Sequence, residues 1–250
     1  MTLLEAIDLR VSVRHFANAR MDAKKSHYLS ALVYDYNKAS GLSMVFLDDV
    51  SKAFKHYSHG GNGFKGVRSA ILLKGSERDP LLHEKLGYYG EKLVLEATRL
   101  DIGSCWVTDT YDVSTLDFPM EEDDLIVGII PIGHMEDRRT LTGKLIRPEG
   151  HKSKPAKDFF VGEKGAPVWV FKGIEAIQRA PSYKNRQPVT IHHIEGMVAI
   201  SVPGKASTDL IDLGIAKLHF EIAAEGKFEY YNGAMFIKER VPDYHTLSSS

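Results

Sequence analysis

Cysteine is nearly absent: Cys105 is the only one in 250 residues. No disulfide can form within the chain, and a cysteine-based zinc site lacks its ligands, which fits a reducing cytoplasm. Neither sign of charge is in excess. Thirty-two basic against 33 acidic residues give a formal net charge of -1, so no global field draws the chain to nucleic acid or to an anionic membrane, and any anion must be bound locally. Long apolar runs are missing too. Nothing approaches the about 20 residues of a membrane-spanning helix, and MTLLEAIDLRVSVRHF has neither the apolar core nor the cleavage site of a secretory signal. A cytoplasmic protein with no membrane or nucleic-acid partner is expected.

Several motifs are also missing. No Gly-x-Gly-x-x-Gly fingerprint, no phosphate loop ending in Gly-Lys-Ser/Thr and no Gly-x-Ser-x-Gly elbow occurs, which removes support for a Rossmann site, nucleotide hydrolysis and a serine hydrolase. His192-His193 and the His56/His59 pair have no carboxylate or thiol at a familiar spacing, so no metal is expected. Cys105, next to Trp106 on a turn leading out of the core, reads as a buried small residue and not as a nucleophile.

What is present is the material of a globular core: 43% hydrophobic and 26% charged residues, in a length that suits one large domain or two small ones. Thr2 followed by Glu5 is a capping box opening a short helix that ends near Arg10. From Asp22, Leu29, Leu32, Val33 and Tyr36 fall at helical spacing. SMVFL (43–47) and AILL (70–73) read as buried strands. Leu86, Gly90, Leu93, Ala97 and Leu100 share the face of a core helix, with Gly90 small enough for close packing on a neighbouring helix. That helix runs into GSCWV (103–107), and LIVGIIPIG (125–133) reads as a fully buried strand. The pattern then partly restarts, MVAISV preceding DLGIAKLHFEIAAEG much as AILLKG precedes GYYGEKLVLEATRLDIG. Asn232-Gly233 between two strand-like runs predicts a tight hairpin turn.

Three segments could carry chemistry. Arg10, Ser12 and Arg14 alternate, so an extended segment would point all three to one side, to meet an anion or simply to be solvated. HYSHGGNGFKG (56–66) offers glycine-exposed amides beside Asn62 and Lys65, as a ligand cradle or as a flexible loop. In APSYKNRQP (180–188), prolines fix both ends while Ser182, Asn185 and Gln187 present neutral hydrogen-bonding groups, suited to a polar ring edge or to a structural loop.

Together LRVSVRHF, GYYGEKLVLEATRLDIGSCWV, KSKP, APSYKNRQP and DLGIAKLHFEIAA resemble the nitroreductase family over nearly the whole chain, and more closely its fused, two-half branch of TM nitroreductases. The resemblance implies an α+β fold with mixed and antiparallel sheets flanked by helices. It also implies an internal pseudo-dimer of two halves, 1–164 and 165–250, acting as a monomer. In ordinary members the arginine-serine and proline-serine-asparagine motifs meet across a homodimer. Here Arg10, Ser12 and Arg14 would face Pro181, Ser182, Tyr183 and Asn185 of the same chain, around one flavin mononucleotide (FMN).

Carried over by residue, Arg10, Ser12, Lys152 and Lys154 resemble the phosphate ligands. Arg14, Asn62 and Lys65 resemble contacts to the pyrimidine edge, where a cation favours the anionic reduced flavin. Trp106 and Thr108 match the segment near N5. Val11 stands where many members carry a second basic residue, and the second half has no arginine-serine motif, so one flavin per chain is implied. The activity implied is transfer of hydride from NAD(P)H through FMN to an electron-poor acceptor, with no catalytic side chain. A flavin-binding carrier or sensor without turnover is the alternative.

Overall fold

The computed structural model of the protein describes residues 1–55, 63–136, 153–162 and 165–239. Helix α1 (Leu3–Leu9) begins with the expected capping box: the Thr2 hydroxyl accepts from the Glu5 amide, and the Glu5 carboxylate accepts from the Thr2 amide at 2.7 Å. Two amides that the first turn leaves unpaired are thereby satisfied. Asp22 caps α2 (Ala23–Ser40) by accepting from the Lys24 and Lys25 amides.

The first sheet contains β1 (Val45–Leu47), β2 (Ser69–Ser76), β3 (Gly103–Ser104) and β4 (Asp124–Gly133), all pairs antiparallel, in the order β1-β2-β4-β3. Helix α3 (Leu82–Arg99) and α2 cover it, joining Leu29, Val33, Ile71, Leu73, Leu86, Leu93 and Ile130 in one apolar cluster. Two strand expectations need correction. β4 is buried only from Gly128 onward, and Leu125 is exposed at its outer end. Of SMVFL only Val45–Leu47 forms a strand, and all three residues are half-buried; past β3 the Cys105 amide donates to the Pro131 carbonyl, and Val107 and Ile129 exchange two backbone bonds.

A second sheet pairs β5 (Phe160–Gly162) parallel to β6 (Thr190–Ile194), and β6 antiparallel to β7 (Met197–Ser201). Helices α4 (Val168–Ile177) and α5 (Ser207–Ala224) complete a second core of Phe159, Ile174, Ile191, Ile200, Leu213 and Phe220. The pairing of β5 with β6 crosses position 164. β8 (Gly226–Phe228) and β9 (Phe236–Lys238) form a hairpin; its loop is longer than two residues, running over 229–235, but the tight turn lies within it at Asn232-Gly233, where the Ala234 amide donates to the Tyr231 carbonyl at 3.1 Å and Gly233 has a φ of 92°. The Asn232 side chain ties this turn to the end of β7: it accepts from the Val202 amide and donates to the Val202 carbonyl, both at 2.8 Å.

Helices α3 and α5 pack most closely at two glycines. A Cβ on Gly87 would lie 2.1 Å from the Ile211 carbonyl oxygen, and one on Gly214 would lie 2.0 Å from that of Glu84. The contacts are reciprocal, each glycine receiving the carbonyl three positions before the other. Gly90, expected to serve this purpose, instead makes room for an indole: its Cβ would lie 2.6 Å from the Trp106 ring. Polar groups cross the same junction. Lys217 pairs with Glu84 while donating to the Glu229 and Tyr231 carbonyls at 2.6 and 2.9 Å, and the Tyr88 hydroxyl donates to Glu221 at 2.6 Å. Among the described residues, no helix is long and apolar enough to cross a membrane.

Candidate functional site

The chain leaves α1 in extended conformation and is gripped from both sides. The Val13 amide donates to the Ser104 carbonyl at 2.8 Å, the Lys65 amide to the Arg14 carbonyl at 2.9 Å and the Phe16 amide to the Lys65 carbonyl at 2.8 Å. Alternation holds over Ser12 to Arg14, with Val13 in the core and Ser12 and Arg14 exposed, and breaks at His15, which is exposed before Phe16 enters the core. Arg10, Ser12 and Arg14 line one wall of a cleft of about 910 Å³. Arg10 is the most enclosed of the three, its side chain only 6% exposed and its Nε buried with no hydrogen-bond partner. A buried donor without a partner is costly, and this one lies in the lining of a cleft.

The opposite wall is the loop after α4, with Pro181, Ser182, Tyr183 and Asn185 in the lining. It is strained. Lys184, Asn185 and Gln187 have φ of 50, 54 and 48°, left-handed conformations that each cost a residue with a side chain about 1 kcal/mol or more. The surroundings hold it there. The Tyr183 amide donates to both oxygens of Asp212 at 3.0 and 3.3 Å, Arg186 pairs with Asp209 at 2.7 Å, and the Gln187 amide donates to Ser182 Oγ at 3.0 Å. Burial pushes the Asp212 carboxyl up to about 7 against the opposing effect of the Tyr183 amide. Asp8 and Arg179, both in the lining, form an ion pair that ties the two walls together.

Trp106 and Thr108 lie in the floor between the walls. The Trp106 Nε1–H donates to Glu91 Oε2 at 2.8 Å. Cys105 is buried beside them, and burial pushes its thiol up, so the reading as a packed small residue agrees with its setting.

Two of the residues singled out in the sequence lie elsewhere. The Lys65 ammonium pairs with Glu136 at 2.7 Å on the surface, and its segment contributes Phe64 to the lining instead. Lys154 donates through Nζ to the Gln187 carbonyl at 2.9 Å and through its amide to Gln187 Oε1 at 2.8 Å, supporting the strained loop from behind while Ser153 reaches the cleft. Asn62 and Lys152 lie outside the described residues. No group of three or more metal-ligating side chains occurs among the described residues.

The sequence pattern did not reveal Glu91, His219, Asp209 or Asp212. All four are helical and buried, yet at sequence level they resemble the polar positions of solvated helix faces. A weak signal exists for Asp209 and Asp212, which sit in the first turns of helix α5 beside apolar residues.

The family model described as Putative TM nitroreductase matches residues 2–224. Among solved structures, a nitroreductase of Thermotoga maritima is similar over 94% of this chain and 92% of its own, with a TM-score of 0.60 and 23% identity. This likeness shows a nitroreductase-like fold. A nitroreductase of Bacteroides fragilis with bound FMN covers 62% of this chain and 100% of its own, at a TM-score of 0.43 and 17% identity. No curated protein matches the sequence.

Proposed function

As the chain belongs to the Putative TM nitroreductase family, we propose that it is a cytoplasmic FMN-dependent oxidoreductase, taking hydride from NAD(P)H and reducing an electron-poor acceptor. The observation that carries this reading is the meeting of Arg10, Ser12 and Arg14 with Pro181, Ser182, Tyr183 and Asn185 across one cleft, from segments about 170 residues apart in the chain. The cleft fits the group. Its volume is that of sites for ligands of this size, commonly about 300–1,000 Å³, and Arg10, which lines it with its buried Nε unpartnered, supplies a cation for a phosphate.

FMN would supply the two-electron chemistry, and the protein would supply position and electrostatics. Arg10 and Ser12 would hold the phosphate. Arg14 would place positive charge at the pyrimidine edge, and the loop 181–185, neutral apart from Lys184, would border the ring from the other side. Below about pH 7 the protonated Asp212 adds no negative charge behind that loop. Trp106 and Thr108 would close the floor and exclude water. Lys154 would act through Gln187, and Lys65 would reach the ring only after leaving Glu136. No side chain is needed as nucleophile.

We read the chain further as two nitroreductase-like halves, 1–164 and 165–250, forming one composite site. The reciprocal contacts of Gly87 and Gly214 support this, since an approximate two-fold axis would exchange them. Titration of the protein with FMN, followed by NADH and NADPH oxidation with a nitroaromatic or quinone acceptor, tests the proposal. About one FMN per chain and acceptor-dependent turnover are expected. Binding without turnover would make the protein a carrier or sensor, and no binding would overturn the reading.

A further inference from the structure

Beneath the cleft floor, two buried side chains meet across the α3/α5 junction. Glu91 from α3 and His219 from α5 are both 0% exposed, and the imidazole Nε2 lies 2.9 Å from Glu91 Oε1. The other ring nitrogen is 3.1 Å from the Ala176 carbonyl, a group that can only accept, so that nitrogen carries a hydrogen. Glu91 Oε2 is occupied by the Trp106 indole N–H. A bare ring nitrogen against a bare carboxylate oxygen at 2.9 Å would oppose two lone pairs in a dry interior, so one proton lies between them. Carboxylate, ring and shared proton then sum to zero charge, whichever atom holds the proton.

Arg10 Nε lies 3.9 Å from the same Glu91 oxygen, too far for a hydrogen bond but within strong electrostatic range, and has no hydrogen-bond partner. A fully charged Glu91 at this distance would draw the guanidinium inward and cancel its field in the cleft. We propose that Glu91 and His219 act as one neutral pair of positioning residues: they fix Trp106 and Arg10 in place while leaving the positive charge of Arg10 to an anionic ligand. This rests on the reading that Arg10 meets the FMN phosphate. In effect, a histidine of the second half sets the anion affinity of an arginine in the first.

The test compares dissociation constants for FMN and riboflavin in wild type, His219→Gln and the double variant Glu91→Gln/His219→Gln. A glutamine at 219 can hydrogen-bond but shares no ionisable proton, so Glu91 becomes fully charged. FMN affinity should fall about tenfold, while that for riboflavin, which lacks the phosphate, should change less than about twofold. The double variant restores neutrality and should bind FMN within about threefold of wild type. Equal loss for both ligands in the single variant would overturn the proposal, as would a double variant no better than the single.

Should His219→Gln fail to fold, the double variant decides alone: FMN affinity near that of wild type supports the proposal. Binding about tenfold tighter would mean that the native pair carries a net negative charge, and clearly weaker binding would mean that its role is not one of charge; either overturns it. If the wild type binds neither flavin, the functional reading fails, and nitrogen NMR of the His219 ring in the ligand-free protein still judges the pair. A hydrogen bound or hydrogen-bonded at the nitrogen facing Glu91 is expected, and a bare lone pair there would overturn it.

Discussion

The two walls of the cleft are built on opposite principles. The 10–14 wall carries its chemistry in its own side chains and is held by ordinary backbone pairing to Ser104 and Lys65. The 181–187 wall presents neutral groups apart from Lys184 and is held by side chains from elsewhere, chiefly Asp209 and Asp212 of α5 and Lys154. The first wall adopts a relaxed conformation, whereas the second has three left-handed residues other than glycine. The contrast separates binding energy from shape: the first wall should set how tightly an anion is held, and the second how accurately a flat ring is bordered.

The sharpest way to break this comparison is to remove charge from the first wall. Arg10→Ala should weaken FMN binding about 10- to 100-fold, the usual worth of a charge-assisted contact of about 1.5–3 kcal/mol, and leave riboflavin nearly unaffected. Equal losses measured for both ligands would instead make Arg10 a support of the fold. Next in size is the contrast between Arg14 and Lys65. Arg14 lines the cleft and Lys65 faces Glu136, so Arg14→Gln should lower the potential of bound flavin by roughly 30 mV, about tenfold in a two-electron equilibrium, and Lys65→Gln by much less. A redox titration showing the reverse would bring Lys65 to the ring.

The second wall is tested through its anchor. The Asp212 carboxyl is raised to about 7 in the fold, against about 3.9 when unfolded. The folded state therefore holds a proton that the unfolded state releases between these values, so this contribution is complete below about pH 4 and is lost as pH rises through about 7. Urea unfolding should show stability falling by at most about 1.4 kcal/mol per pH unit across that window. Asp212→Asn, which still accepts from the Tyr183 amide, should flatten the slope, and an unchanged slope would place the titration elsewhere. The smallest effect is expected at Lys184, exposed at a φ of 50°. Lys184→Gly should stabilise the protein by about 1 kcal/mol through relief of backbone strain, read as a rise in Tm.

The comparison also explains what could be read from the sequence. Arg10, Ser12 and Arg14 were visible because alternation and charge reside in adjacent residues, and Pro181 to Asn185 because prolines and small polar groups announce a shaped loop. The supporting residues were not. Glu91 and His219 look like solvated helix positions until the partner helix is in place, and Asp212 is identified as an anchor only by an amide 29 positions away. The same reason misassigned the close approach to Gly90: residues 87 and 90 both suit a small side chain, and only the fold reveals that one meets a helix and the other an indole. The capping box was legible because its two partners lie within one helical turn.

Gly87 and Gly214 are not themselves in the cleft lining, yet they govern its dimensions. Helix α5 carries Asp212 and so the loop at Tyr183, while α3 carries Glu91 beneath Arg10 and Trp106. With a carbonyl about 2 Å from where each Cβ would stand, the two helices are already at the limit of approach. The gap between the walls is thus calibrated by two missing methyl groups, and replacing either glycine with alanine would act as a shim, resetting the spacing of a site whose lining includes neither position.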